Sequence, residues 1–327
     1  MTVLITGCFG FIGYNFLNFL DSKNVDFIGV DKLVSNSSKL LYENYVSKDK
    51  IFIIDISDIG QLDKLKTHNI DTIINFAAET HVDNSIFNPS SFIKSNILGL
   101  TELLTFAVKN EIPNFVHIST DEVYGSSQSK FFKEDANFNP SSPYSASKAG
   151  AELVCNSFSN TYGANIKIVR PSNNYGPYQQ PEKLIPYSIA NLLNNKNIEI
   201  YGMGNHIRHW LHVEDTCSAI YDIWKKGVNG EAYNIGSGEY FKNFEVAREI
   251  LNSMNLPETR LEFVDDRPGH DFRYAVNFEK ITKLGWKPKK HFLNEIPKII
   301  NWYIGNSDLW KEDYYKILEK RSKRLGL

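Results

Sequence analysis

The sequence predicts an α/β protein, a doubly wound parallel sheet with a smaller C-terminal lobe. Three observations carry that expectation. Short runs rich in Val and Ile alternate with helix-period segments through the first half of the chain. Most of these runs are continuously apolar, as strands covered on both faces must be. The first run leads straight into a glycine-spaced turn, "TGCFGFIG", at the start of a helical pattern.

Taken in order, strands are predicted at 3–6, 27–31, 51–55, 72–76, 115–119 and 166–170, with helices between them, for example over 92–109 and 144–162. After Arg170 the rhythm changes. "PSNNYGPYQQPEKLIP" is rich in proline and reads as a shaped loop. A helix near 186–194, a short strand "IEIYG", the segment "RHWLHVED" and a helix from Asp215 follow. "EAYNIGSG" (231–238) is expected to return to the first sheet. The expected division is a dinucleotide-binding part over 1–172, with a returning segment near 210–236, and a substrate lobe mainly over 173–327.

Composition excludes several classes. In 327 residues, 36 Lys and Arg nearly balance 38 Asp and Glu, which leaves no electrostatic footprint for nucleic acid or an anionic membrane. The 3 cysteines show no CxxC spacing, so neither a disulfide framework nor a zinc site is expected. A strand beginning at residue 2 leaves little room for a leader, and no apolar run is long enough to span a bilayer. A cytoplasmic protein is expected.

The glycine turn carries the first functional signal. Gly7, Gly10, Phe11, Ile12 and Gly13 make a strand–loop–helix junction of Rossmann type. Such a junction needs a tight turn and close backbone approach to a pyrophosphate, with a helix N-terminus aimed at it. Asp31 ends the second strand, where a carboxylate accepts ribose hydroxyls and repels a 2′-phosphate, so NAD is expected. Lys32 beside it argues the other way. Asp55, followed by Ile56, either lies near the adenine or caps the next helix.

"YSASK" sets Tyr144 and Lys148 at i, i+4 on one face of a helix. A free tyrosine, with a pKa near ~10, is a weak base at neutral pH, and a neighbouring ammonium would stabilise its phenolate. "HISTDEVYG" then raises a question, because Thr120, Asp121 and Glu122 stand where a strand should end. Adjacent carboxylates repel, but the same repulsion separates their titrations and supplies an acid beside a base.

Read together, "TGCFGFIGYN", "NFAAETHVDNSI", "STDEVYG", "SPYSASKAGAE", "RPSNNYGPYQQPEKLIP", "WLHVED", "YNIG" and "DRPGHDFRYA" resemble the extended short-chain dehydrogenase/reductases, and within them the nucleotide-sugar 4,6-dehydratases. The resemblance runs nearly end to end. It implies loss of water from a nucleotide-linked glucose, dTDP-linked rather than UDP-linked, in deoxysugar biosynthesis. Tyr144 would be the base at C4, Glu122 the base at C5, Asp121 the acid at C6, and Thr120 a partner of the C4 oxygen. Phe76, Ala77, Ala78, Ser95 and Asn174 would line NAD. Thr80, Asn173, Lys183, Leu184, Pro186, Tyr201, Arg208, Asn243, Arg267 and His270 would hold the sugar nucleotide. His270 has no partner at metal-ligand spacing in the sequence, so no metal is expected. A homodimer through helices near 92–109 and 144–162 is implied as well.

Departures from the pattern are Cys8 and Phe9 in the glycine loop, Leu100 in "NILGL", a short segment before "SPYSASK" and altered wording before Asn243. They bear on loop geometry and nucleotide choice. A 4-epimerase on the same scaffold would share Tyr144, Lys148 and the glycine loop, and the Asp121–Glu122 pair speaks against it. A non-catalytic NAD-binding protein would have no use for any of the four side chains.

Overall fold

The computed structural model describes residues 2–266 and 269–325, with side chains as far as 320. Strands are numbered in chain order. The first six are β1 (Thr2–Thr6), β2 (Phe27–Asp31), β3 (Ile51–Ile53), β4 (Ile70–Asn75), β5 (Asn114–Ile118) and β6 (Ile166–Pro171). The others are β7 (Asn173–Tyr175), β8 (Ile198–Tyr201), β9 (Ile207–His212), β10 (Ala232–Ile235), β11 (Tyr240–Lys242) and β12 (Leu261–Val264).

A seven-stranded parallel sheet has the order β10-β6-β5-β4-β1-β2-β3. The winding reverses between β1 and β4, and an open parallel sheet binds its ligand in the crevice at such a point. The 231–238 run does return: β10 pairs with β6, Asn234 opposite Arg170. Two small sheets, β11-β9-β7 and β12-β8, stand apart from the main one.

Apolar strands with helices on both sides give two cores, one on each face. On one face Val3 and Ile5 meet Phe16 and Leu17 of the helix Phe11–Ser22, and Ile220 and Trp224 of the helix Val213–Lys226. On the other, Leu4 and Ile73 meet Leu103, Leu104 and Cys155. A separate core joins Ile185, Ile198, Val246, Phe292 and Tyr314 in the second lobe.

Three expectations need correction. β3 stops at Ile53: the Ile54 N–H makes the last rung to the carbonyl of Asp31, and the chain then turns as the Asp55 side chain takes the Ser57 N–H. The predicted 92–109 helix is not uniform: Pro89–Phe92 runs into a π-helical turn, Ile93–Leu98, before α-helix resumes at Gly99–Lys109. Such turns concentrate at functional sites. The helix expected from Asp215 begins at Val213, where His212 caps it by accepting the Glu214 N–H.

Several quoted motifs are joined by one buried network. Arg170 grips both oxygens of Glu152 (2.7–3.1 Å) and also donates to Tyr124 and to the Glu134 carbonyl. Tyr124 donates to Asn234 at 2.8 Å, and Ser119 donates to Glu152. The ends of β5, β6 and β10 are thereby fixed to the helix that carries Tyr144 and Lys148. Removing one member of a buried charge pair costs about 3–5 kcal/mol, because the other charge is then uncompensated.

Candidate active site

The glycine loop has the form a dinucleotide requires. Gly7 sits at φ +67°, and a Cβ there would lie 2.6 Å from the Ala77 nitrogen; one on Gly13 would lie 2.2 Å from the Gly7 carbonyl. The loop therefore packs backbone on backbone, which only glycine permits. The helix Phe11–Ser22 starts at Gly10 with no side-chain cap and no acid in its first turn. Its N-terminal N–H groups and dipole suit an anion.

Phe9 does not crowd this turn. Its ring is fully buried among Tyr14, Tyr42 and Tyr45, with centroids 5.7–5.9 Å away, and Cys8 is buried beneath. The Phe9 N–H donates to one oxygen of Asp31 (2.9 Å) and the Leu33 N–H to the other (2.8 Å). Burial raises the Asp31 pKa, and these two bonds oppose it. Each oxygen keeps a further lone pair for a ribose hydroxyl. Lys32 is held by Glu79 at 3.3 Å, so the cation that argued for a 2′-phosphate is already paired.

Asp55 does not cap the next helix. It accepts the Ser57 N–H and hydroxyl, which together outweigh burial and lower its pKa; Asp58 caps the next helix instead. Ile56 beside it is buried against Gly99. Phe76, Ala77 and Ala78 follow β4 at the crevice, with Ala77 against Gly7. Ser95 lies on the π-helical turn.

The next residue, Asn96, escaped the sequence reading. It accepts the Glu79 N–H (2.8 Å) and donates to the Glu79 carbonyl (3.0 Å) and to Ser147 (2.8 Å). Ser147 in turn donates to the Tyr144 carbonyl. One buried amide thus ties the loop after β4 to the Tyr144 helix, and the π-turn is what aims it. A polar residue amid "FIKSNILGL" is the signal that could have found it.

At the end of β5, Thr120 caps a short turn, Asp121–Tyr124, by accepting the Glu122 N–H. Tyr144, nearly buried on the helix Pro143–Tyr162, has Thr120 as hydrogen-bond partner. Asp121 is buried, and its Oδ2 has no partner among the described residues. Burial and the neighbouring Glu122 carboxylate push the Asp121 pKa well above the carboxylate range, against a weaker pull from Arg208. Burial and Glu122 thus bias Asp121 toward its protonated, acid form. Tyr274, unnoticed in the sequence, has its hydroxyl 3.3 Å from Glu122 and 2.9 Å from Asp271.

Lys148 does not meet the expectation of lowering the phenol in the protein by itself. Its ammonium donates to the Ile118 carbonyl (2.7 Å) and lies 3.5 Å from His117 Nε2. Burial lowers its pKa to about 8. Burial, Glu122 and Asp121 instead hold the Tyr144 pKa up, with only Thr120 opposing them.

The sugar-nucleotide residues divide. Asn173 and Asn243 each present a buried Oδ1 with no partner among the described residues. The Lys183 ammonium donates to the Thr80 carbonyl (2.8 Å), closing the proline-rich loop onto the strand-four loop. Leu184 and Pro186 open the helix Leu184–Leu193, and Tyr201 reaches Asp83. Asn174 is a brace rather than an open amide, donating to Ser172 and accepting from Thr216. Arg208 is buried, donates to the carbonyls of Ile207 and Asp271, and stacks on Tyr274 at 4.4 Å. Arg267 lies outside the described residues.

His270 has the partners the sequence did not reveal. It lies 2.6 Å from one oxygen of Asp266, while His206 lies 3.2 Å from the other, and the two rings stack at 3.7 Å. By distance these three side chains could hold a cation. The fold brings His206 to them from the start of β9, which no local spacing reveals.

A glycine cradle at the switch point, an acid–base pair and a tyrosine at one strand end define a dinucleotide-binding protein built for proton transfer on a second ligand. The family model described as GDP-mannose 4,6 dehydratase matches residues 4–299, and the chain belongs to that family. It is 40% identical over 311 residues to the low-salt glycan biosynthesis protein Agl12 of Haloferax volcanii, covering 94% of this chain and 100% of that one. To a dTDP-glucose 4,6-dehydratase of an Actinoplanes species it is 38% identical, covering 95% and 100%. The crystal structure of DesIV, a dTDP-glucose 4,6-dehydratase from Streptomyces venezuelae with NAD bound, superposes with a TM-score of 0.90 at 37% identity, covering 95% of this chain and 99% of that one.

Proposed function

We propose that the protein is a lyase, an NAD-dependent 4,6-dehydratase that converts dTDP-glucose to dTDP-4-keto-6-deoxyglucose. The observation that carries this reading is Asp121: a buried carboxyl whose pKa is raised, with one oxygen that has no partner among the described residues, set between Thr120 and Glu122. An epimerase expels no water and has no use for such an acid. Residues 1–172 hold the cofactor, with Gly7, Gly10 and Gly13 under the pyrophosphate and Asp31 at the ribose. Residues 173–327 mainly hold the sugar nucleotide, through Asn173, Asn243, Lys183 and their neighbours.

When bound at Gly7, Gly10, Gly13 and Asp31, NAD would supply a hydride acceptor for C4 and, once reduced, a hydride donor for C6. Tyr144 takes the C4 hydroxyl proton while Thr120 holds that oxygen. The C4 ketone acidifies the hydrogen at C5, which Glu122 removes. Asp121 gives its proton to the C6 hydroxyl, which leaves as water. Each positioned acid or base of this kind is worth about 10²–10⁴-fold in rate.

Two exposed apolar stripes support a homodimer. Phe87, Ile93 and Leu98 lie on the helical stretch after β4, and Leu153 and Tyr162 on the Tyr144 helix. Among the described residues no helix is long and apolar enough to cross a membrane. The reading places the enzyme in the cytoplasm, making the precursor of deoxysugars such as rhamnose.

The nucleotide is the test. Thymine differs from uracil by one methyl, which an apolar pocket discriminates by only about 10–200-fold. Leu184 and Pro186 with the strand Ile198–Tyr201 are the apolar groups assigned to the base. Formation of 4-keto product from dTDP-glucose and UDP-glucose, compared as kcat/KM, is expected to favour dTDP-glucose within that range. An equal or higher value for UDP-glucose would overturn the nucleotide assignment.

A further inference from the structure

A row of buried polar side chains crosses the sheet from β1 to the catalytic helix. Thr6, Asn75 and His117 stand at matched positions on β1, β4 and β5, paired in register across the two ladders. All three are at most 1% exposed, and the strands around them are otherwise apolar. The Thr6 hydroxyl donates to Asn75 Oδ1 (2.6 Å), Asn75 Nδ2 faces His117 Nδ1 (3.2 Å), and His117 Nε2 faces the Lys148 ammonium (3.5 Å). Burying an unsatisfied polar group is costly, so such a row needs every member paired.

Donor and acceptor counting fixes its direction. Thr6 has one proton to give and Asn75 Oδ1 as its partner, so the Asn75 amide nitrogen must face His117. His117 Nδ1 then accepts, and a neutral imidazole that accepts at Nδ1 keeps its proton on Nε2. That N–H points at Lys148. An N–H opposite an ammonium repels it, whereas opposite a neutral amine it donates a hydrogen bond.

We propose that His117, oriented by Thr6 and Asn75, is a positioning residue that sets how readily Lys148 gives up its proton. The inference rests on the reading of Tyr144 and Lys148 as part of the redox site. Besides Tyr144 one turn earlier, the other titratable groups around Lys148 are Glu152 and Cys155 on its own helix, and Glu152 is already committed to Arg170 of β6. Burial and Lys148 together hold His117 neutral, and the Lys148 pKa is drawn down to about 8 mainly by burial. The row adds to burial a directional contact that a substitution can reverse.

Thr6→Val removes the donor that orients Asn75. The amide is then free to turn its oxygen to His117, which moves the imidazole proton to Nδ1 and lets Nε2 accept from the ammonium. Two measurements test this. Nitrogen NMR of the His117 ring in the protein without substrate should show the neutral, Nε2-protonated tautomer, and Thr6→Val should populate the Nδ1-protonated form. In the single-turnover reaction that forms bound NADH, the alkaline inflection should move upward by about one pH unit in Thr6→Val, since an accepted hydrogen bond stabilises the charged lysine. An Nδ1-protonated or cationic His117 in the unaltered protein, or an inflection that stays in place while the tautomer changes, would overturn the proposal. The tautomer is read without substrate, so it fails or stands independently of whether the protein oxidises a nucleotide sugar.

Discussion

Tyr144→Phe loses oxidation at C4, and with it every later step. Mixed with NAD and dTDP-glucose, this variant is expected to form no bound NADH on the time scale of the unaltered enzyme. Turnover should fall by at least the 10²–10⁴-fold typical of a lost, positioned base. The physical reason lies around the phenol: it is nearly buried, has Thr120 as partner, and is destabilised as a phenolate by Glu122 and Asp121. Lys148 does not stand in for it, since its ammonium is turned to the Ile118 carbonyl. Phe keeps the ring and its edge contact with Phe92, centroids 6.3 Å apart, so the loss reads chemistry rather than packing. Rapid NADH formation by Tyr144→Phe would remove Tyr144 from the redox step.

The acid–base pair gives the opposite signature. Asp121→Asn or Glu122→Gln should leave C4 oxidation in place and stall the loss of water, so bound NADH accumulates while product formation drops by about 10²–10⁴-fold. Asn at 121 removes the proton that the C6 hydroxyl needs, and Gln at 122 removes the base for C5. The pair also predicts a pH dependence with a definite sign. Asp121 must be protonated to work, and burial with Glu122 raises its pKa well above the ordinary range. Dehydration should therefore fail as the pH climbs through that raised value. In Glu122→Gln the like charge is gone, the Asp121 pKa drops, and any residual acid-dependent step should fail at lower pH. Stopped-flow absorbance of NADH beside quenched product analysis separates the two steps. A Glu122→Gln enzyme that dehydrates at the unaltered rate would remove Glu122 as the base.

What was legible in the sequence was whatever sits on one strand, one helix or one loop. The apolar runs of β1, β4 and β6, the glycine turn, and Tyr144 with Lys148 each carry their signal within a few residues. Asp121 and Glu122 could be seen as a pair for the same reason. What was not legible depends on partners far apart in the chain. Arg170 and Glu152 read as unremarkable charges until β6 and the catalytic helix meet. His270 had no metal-spaced neighbour until β9 brought His206 to Asp266. Arg208 was expected to hold the sugar nucleotide, and the Asp271 carbonyl and Tyr274 that also brace it lie far along the chain. Asn96 depended on a π-turn, a local winding change that apolar periodicity does not reveal. Phe9 ran against the family pattern in sequence, but the aromatic pocket behind the loop absorbs it.

The central claim is that one hydride leaves C4 and comes back at C6 within a single active site. Its most direct measurement uses dTDP-glucose deuterated at C4, with the purified protein and no added NADH. The expected product is dTDP-4-keto-6-deoxyglucose with the deuterium at C6, seen by mass and NMR, and NAD unchanged in amount. Product without deuterium, or one NAD consumed for each sugar, would contradict it.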